Sequence, residues 1–187
     1  MNSYIESNEY NKSMQSTHPF IVFKYCPRCG KSGLINDGTR SFRCTGCGFN
    51  FYINSAAAVA ALIANEEGEL LLTVRGIEPG YGMLDLPGGF IDPGETAENA
   101  VRRELHEELG LNVKSLEYIC SAPNEYIYNG LSVFTLDMAF GVIPETIDGL
   151  RPMDDITGFK FYAEEKIDFS RIHSPSMSYF IKQFFGK

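Results

Sequence analysis

Glu104, Glu107 and Glu108 stand at i, i+3 and i+4 in the stretch 96–111, and carboxylates so spaced on a helix repel one another. At about 100° per residue, Val101, Leu105 and Leu109 form one apolar flank, with the small Ala97 and Ala100 alongside. Glu104 and Glu108 project between that flank and the alanines, and Glu107 falls just beside them. A helix with an ordinary charged face, the rival reading, turns its acids outward, where Asn99, Arg102 and His106 point. Acids on the inward side need a counter-ion, and oxygen donors at this density suit Mg²⁺ or Mn²⁺.

A second cluster is made of sulfur. Cys26-x-x-Cys29 and Cys44-x-x-Cys47 are two knuckles separated by residues 30–43, each followed at once by a glycine, Gly30 or Gly48. Four thiolates in two such pairs make a closed tetrahedral Zn²⁺ site of the ribbon type, with no open position for catalysis. Two disulfides are the competing pairing. A ribbon of this size cannot bury enough surface to fold alone, so metal supplies much of its folding energy.

The elements that position these groups can be read around them. Pro93-Gly94 is a turn, Thr96 caps a helix running to about Leu109, and Gly110 stops it. Ala57–Ile63 and Leu70–Val74 read as strands joined by a hairpin turn at Asn65-Glu66-Glu67-Gly68. The Gly/Pro-punctuated loop 77–83 leads to Leu84-Asp85-Leu86 and is expected to border the substrate. After the helix, Val113–Cys120 and Leu131–Phe140 read as strands, with 121–130 as a loop between them and Cys120 as an inert buried thiol. Phe159–Tyr162 gives another strand. Ser174 and Pro175 then open a final helix whose Met177, Phe180, Ile181 and Phe184 make a packing stripe. Strands alternating with two helices predict an α/β class, an α/β/α sandwich with a mixed sheet.

Composition sets the outer bounds. The 187 residues, 44% hydrophobic and 13% aromatic, fit one core domain with a small appendage. A net charge of −8 argues against bulk nucleic-acid binding. No apolar run reaches membrane-spanning length and the polar start MNSYIESNEYNK has no signal-peptide core, so no membrane association and a cytoplasmic protein are expected. Lys24, Arg28, Lys31, Arg40 and Arg43 make the cysteine region the most basic part of the chain. It either packs as a structural appendage or dimer element, or grips nucleic acid.

Gly89, Glu95, Arg103, Glu104, Leu105, Glu107, Glu108, Gly110 and Leu111 fill every fixed position of the Nudix signature, and the preceding LDLPGG resembles the strand and turn that lead into it. The chain therefore resembles a Nudix hydrolase. The resemblance implies Mg²⁺- or Mn²⁺-dependent hydrolysis of a nucleoside diphosphate linked to another group. Glu104 and Glu108 would be ligands, Glu107 a further ligand or general base, the Gly88 carbonyl another ligand, and Arg103 with Glu95 would orient Glu104. A further carboxylate from a distant loop carries over to Asp155, in Asp155-Ile156-Thr157-Gly158-Phe159-Lys160-Phe161-Tyr162; its bland alternative is a solvated loop acid.

Ribbon and box together resemble the NADH pyrophosphatase family. The expected divisions are a disordered tail at 1–18, a zinc ribbon at 19–53 and the Nudix domain at 54–187. That family's Ser-Gln-Pro-Trp-Pro-Phe-Pro segment reads here Ser121-Ala122-Pro123-Asn124-Glu125-Tyr126-Ile127, and the chain has no Trp. Arg75, Asn124, Tyr126 and Tyr128 are the candidate substrate contacts, core packing being the alternative for the two rings. NADH, ADP-ribose or a nucleotide sugar is the expected substrate, and ribbon-bearing relatives imply a homodimer. Two other readings are an RNA-directed enzyme or binder acting on a 5′ pyrophosphate, and a non-catalytic nucleotide sensor.

Overall fold

The computed structural model describes residues 16–38 and 40–186. Most of the tail expected at 1–18 lies outside them, although its last residues are placed: the His18 side chain caps a four-residue helix α1 (Pro19–Val22) by accepting from the Phe20 amide. The chain separates into two units, one up to Asn54 together with 127–133, the other 55–126 with 134–187.

The first unit carries a three-stranded antiparallel sheet of β1 (Leu34–Asn36), β2 (Ser41–Cys44) and β3 (Asn50–Tyr52), with β2 central. Its apolar centre is small. Phe42, 2% exposed, meets the rings of Phe20, Phe23 and Phe51 at centroid distances of 4.8, 5.8 and 6.2 Å.

A further sheet is formed by β4 (Ala56–Leu62), β7 (Val113–Tyr128) and β8 (Leu131–Pro144) in the order β4-β8-β7. The β4–β8 pair is parallel, from Ala56 opposite Thr135 to Leu62 opposite Gly141. Another sheet, β6-β5-β9, is antiparallel and is built from β5 (Leu70–Arg75), β6 (Leu84–Asp85) and β9 (Ile156–Tyr162). The turn at 65–68 exists, with the Gly68 amide donating to the Asn65 carbonyl. Its two strands meet only at the Ala64–Leu70 bridge before parting into different sheets.

Strand alternation sorts the core into two layers. Val59, Ala61, Ile63 and Leu71 face α2 (Ala97–Leu109) through Val101, Leu105 and Leu109. Ala60, Leu62, Leu70 and Leu72 face α3 (Pro175–Phe184) through Phe180 and Ile181. The mixed sheet with helices on both faces is the α/β/α arrangement expected from the sequence.

One expectation is corrected. Residues 121–128, expected as a loop, continue β7, and Asn129-Gly130, both at positive φ (49° and 76°), make the two-residue hairpin turn. Ser and Pro suggested a loop there, but β7 is an edge strand, where proline removes no ladder bond.

Candidate active site

Helix α2 begins where Thr96 Oγ1 accepts from the Asn99 amide and ends at Gly110, whose φ of 67° is the left-handed conformation of a helix stop. Between these caps Glu108 is buried, Glu104 half-buried and Glu107 exposed, so the three acids grade from core to rim.

Arg103 binds the cluster together. Its Nε and Nη2 fork onto the two Glu95 carboxylate oxygens at 3.0 and 2.9 Å, while Nη1 donates to Glu104 Oε1 at 2.7 Å and Glu107 Oε2 at 3.1 Å. Nη2 also donates to the Phe90 carbonyl at 2.9 Å. A planar guanidinium suits this fan of partners and an ammonium does not. The Arg103 fork holds the Glu95 carboxyl below its usual range, and Arg103 is in turn raised, first by Glu95.

The inner acids behave oppositely. Burial pushes Glu104 up, and Glu107 and Asp154 add to the push against the pull of Arg103. Burial drives Glu108 up to about 8, with Glu104, Asp85 and Asp155 adding like charge. The Gly88 amide, which donates to Glu108 Oε2 at 3.0 Å, only partly offsets this. Both glycines before the helix are dictated by close approach. Gly88 has φ 144° and a Cβ there would run into the Val59 carbonyl; a Cβ on Gly89 would come within 2.5 Å of Glu104 Oε1.

Asp155 is exposed, and its loop is tied to the end of α2. The Met153 amide donates to the Glu108 carbonyl at 2.9 Å and the Arg151 amide to the Leu109 carbonyl, which satisfies two last-turn acceptors. That tether brings a second acid, Asp154 (φ 51°), to bear on Glu104 while Asp155 acts on Glu108. Sequence reasoning named only Asp155. The adjacent Asp-Asp pair was the available signal.

The four expected substrate contacts fare differently. Arg75 is turned onto Asp85 (Nη1 to Oδ2, 2.7 Å) and the Pro79 carbonyl (2.8 Å), so it braces the loop 77–83 from within. Burial pushes the Asp85 carboxyl up against the pull of Arg75. Tyr126 is half-buried on β7, with its ring 5.9 Å from that of Phe90. Asn124 lies two residues before it on the same face of the strand and is also half-buried. Tyr128, 55% exposed, lies in the segment 127–133 that belongs with the first unit.

The candidate metal centre of the first unit is a separate construction. All four Sγ atoms of Cys26, Cys29, Cys44 and Cys47 lie within 4.8 Å of one another. Cys26–Cys47 and Cys29–Cys44 are 3.8 and 3.7 Å apart, and all four are free thiols, which sets aside the disulfide reading. A tetrahedron with metal–sulfur bonds of about 2.3 Å has edges of about 3.8 Å. Gly30 and Gly48, at φ 70° and 71°, return their amides to the Cys26 and Cys44 carbonyls and close the knuckles. The Cys47 backbone amide draws Cys44 down to about 7; the Phe49 amide pulls on Cys47, yet burial and the other thiols push it up to about 11.

Among the described residues no helix is long and apolar enough to cross a membrane. Residues 54–183 match the NUDIX domain family. The NAD-capped RNA hydrolase NudC of Deinococcus radiodurans is 33% identical over 126 residues, 65% of this chain and 45% of that protein. Its namesake from Vibrio parahaemolyticus is 29% identical over 133 residues, 70% of this chain and 50% of that protein. The chain thus spans about half the length of these curated relatives. In fold it is similar to the crystal structure of a NUDIX hydrolase from Nitrosomonas europaea, at a TM-score of 0.62 and 21% identity, covering 88% of this chain and 92% of that one.

Proposed function

The chain belongs to the NUDIX family, and from that premise we propose that it is a divalent-metal-dependent pyrophosphohydrolase acting on a nucleoside diphosphate joined to a second group. The observation that carries the reading is the inward acid pair, half-buried Glu104 held by Arg103 and buried Glu108 held by the Gly88 amide, each pushed up by burial and by neighbouring carboxylates. Hard carboxylate oxygens at this density fit Mg²⁺ or Mn²⁺. Glu104, Glu108 and the Gly88 carbonyl would hold the ion, with Glu107 and the Asp154–Asp155 loop completing the set. When bound, the metal neutralises diphosphate oxygens and acidifies the attacking water.

The protein's own groups do the rest. Arg103, fixed on Glu95 and the Phe90 carbonyl, holds the Glu104 carboxylate in one orientation. Glu107, exposed at the rim, has room to take a proton. Phe90 and Tyr126 offer an aromatic wall for a ring of the substrate, Asn124 stands beside them, and Arg75 shapes the neighbouring loop from beneath. NAD(H) is the first substrate class to test, because the relatives are named for NAD-capped RNA, and ADP-ribose is the second.

The thiols of the ribbon would hold Zn²⁺ as a structural ion, and free thiols of this kind suit the reducing cytoplasm. A homodimer is part of the same reading. An RNA-directed role keeps one supporting observation, the exposed Tyr25 and Tyr52 of the basic ribbon, with Arg40 6.0 Å from the Tyr52 ring centroid.

The deciding experiment is product analysis with Mg²⁺ or Mn²⁺ across NADH, NAD⁺, ADP-ribose, nucleotide sugars and a 5′-NAD-capped RNA, wild type beside Glu108→Gln. Release of two monophosphate products by wild type, cut about 100-fold or more in the variant while its fold persists, is the expected result. Equal rates for the two proteins would remove Glu108 from the chemistry. Cleavage of the capped RNA alone would move the assignment to RNA.

A further inference from the structure

On the α3 side of the sheet lies a buried carboxyl group that the chemistry above does not use. Asp137 is 3% exposed, and its Oδ2 accepts a 2.6 Å hydrogen bond from Ser176 Oγ. Ser176 Oγ is in turn 2.9 Å from Ser174 Oγ, the cap of α3. Two residues earlier on the same strand face, Thr135 is also 3% exposed, and its Oγ1 has no hydrogen-bond partner among the described residues. A buried hydroxyl left unpaired loses its hydration without compensation.

The surroundings say what could fill this need. Thr135 and Asp137 pair in register with Ala56 and Ala58, which are only partly buried. These two alanines present only methyl groups beside the buried polar pair. Across β4, Ala58 bridges to Phe90, whose carbonyl anchors Arg103 and whose ring meets Tyr126. With strands about 4.8 Å apart, Asp137 lies two strand spacings, about 10 Å, from the Phe90 backbone. That is roughly the reach of one nucleoside.

We propose that Asp137 and Thr135 read the donor–acceptor edge of a ring on the substrate. The Asp137 carboxyl accepts from an exocyclic NH₂, and the Thr135 hydroxyl donates to the acceptor beside that amino group. The inference rests on the pyrophosphohydrolase reading, since it places the ring of the cleaved diphosphate over Ala56 and Ala58. A primary carboxamide on a pyridine ring and the amino edge of adenine share this pattern, and substrate analogues tell them apart. A site built to pair such an edge rejects analogues that lack it far more strongly than an apolar pocket does.

The test compares wild type, Asp137→Asn and Thr135→Val on NAD⁺, its nicotinic-acid counterpart, its hypoxanthine counterpart and ADP-ribose, with a thermal melt of each protein. KM for NAD⁺ is expected to rise about ten-fold or more in both variants, with kcat little changed. If the carboxamide is read, wild type disfavours the nicotinic-acid compound and Asp137→Asn erases that preference. If the adenine edge is read, the loss follows the hypoxanthine compound and includes ADP-ribose. Unchanged substrate ratios overturn the inference, even where the melting temperature drops, because Asp137 then only ties α3 to the sheet. The near-isosteric Thr135→Val carries the test if Asp137→Asn does not fold. If wild type hydrolyses none of the four, the pyrophosphohydrolase reading falls and calorimetric titration with NAD⁺ decides. Binding weakened about ten-fold by Thr135→Val keeps the inference, and equal or absent binding ends it.

Discussion

In the ribbon, four thiols stand 3.7–3.8 Å apart in their two closest pairs, with Phe42 as the buried ring of that unit. On α2, the acids lie over a layer in which Leu105 and Leu109 are fully buried, and Arg103 already compensates three carboxylates. Both are clusters of like ligands at short sequence spacing. In the first, Cys26 and Cys44 are buried beside a small apolar centre, so a bound metal would hold the fold together. In the second a hydrophobic layer holds the helix whatever the acids do, so the acids can remain strained. The contrast separates a site that makes structure from one that structure makes.

The largest effect should come from breaking the ribbon. Cys26→Ser, or chelation, is expected to abolish amide-exchange protection across 34–52 while 56–62 and 97–109 keep theirs. Joint loss in both segments would erase the contrast between the two sites.

Arg103→Ala tests the opposite claim. Freed from Arg103, the Glu104 carboxyl loses its orientation, and Mn²⁺ affinity should fall about 10–100-fold with the helix intact. Arg103→Lys should recover only part of this, since an ammonium cannot fork onto Glu95 while holding Glu104 and Glu107. Full recovery would show that charge alone matters.

Smaller, and specific in sign, is the pH response of metal-free protein. Glu108 has its folded pKa raised from 4.5 to about 8, so the folded state holds the proton more tightly than the unfolded chain. Its contribution to stability is fully present below about 4.5 and is lost as pH rises through about 8. The melting temperature of the metal-free protein should carry that downward component, Glu108→Gln should remove it, and Mg²⁺ should flatten it. An identical profile in the variant would contradict the strain assigned to the acidic site.

Least of all, Gly110→Ala should cost about 1 kcal/mol in chemical denaturation, because φ 67° disfavours any Cβ while the nearest atom, the Met153 methyl, stands 3.6 Å away.

Local features were legible because local rules make them. Thr96, Gly110, Ser174 and Pro175 mark helix ends through the geometry of the last turns, and the observed helices begin and end there. The Asn129-Gly130 turn obeys an equally local rule, and reading it would have turned the expected loop into the strand that is found. Arg75 was less accessible. Facing the solvent-side loop or the buried Asp85 is a choice made by the packing of β5 against β6, to which a strand-end arginine is blind.

By itself, the sequence determined the clusters of acids and of thiols, the caps of the long helices and the α/β class, all fixed by spacing along the chain. Only the tertiary structure decided that β4 runs parallel to β8, that Asp154 joins Asp155 beside the acids, and that Asp137 and Thr135 are buried together. Those are contacts between residues far apart in the chain, selected by which apolar faces can be covered at once, and no periodicity within one segment records that choice.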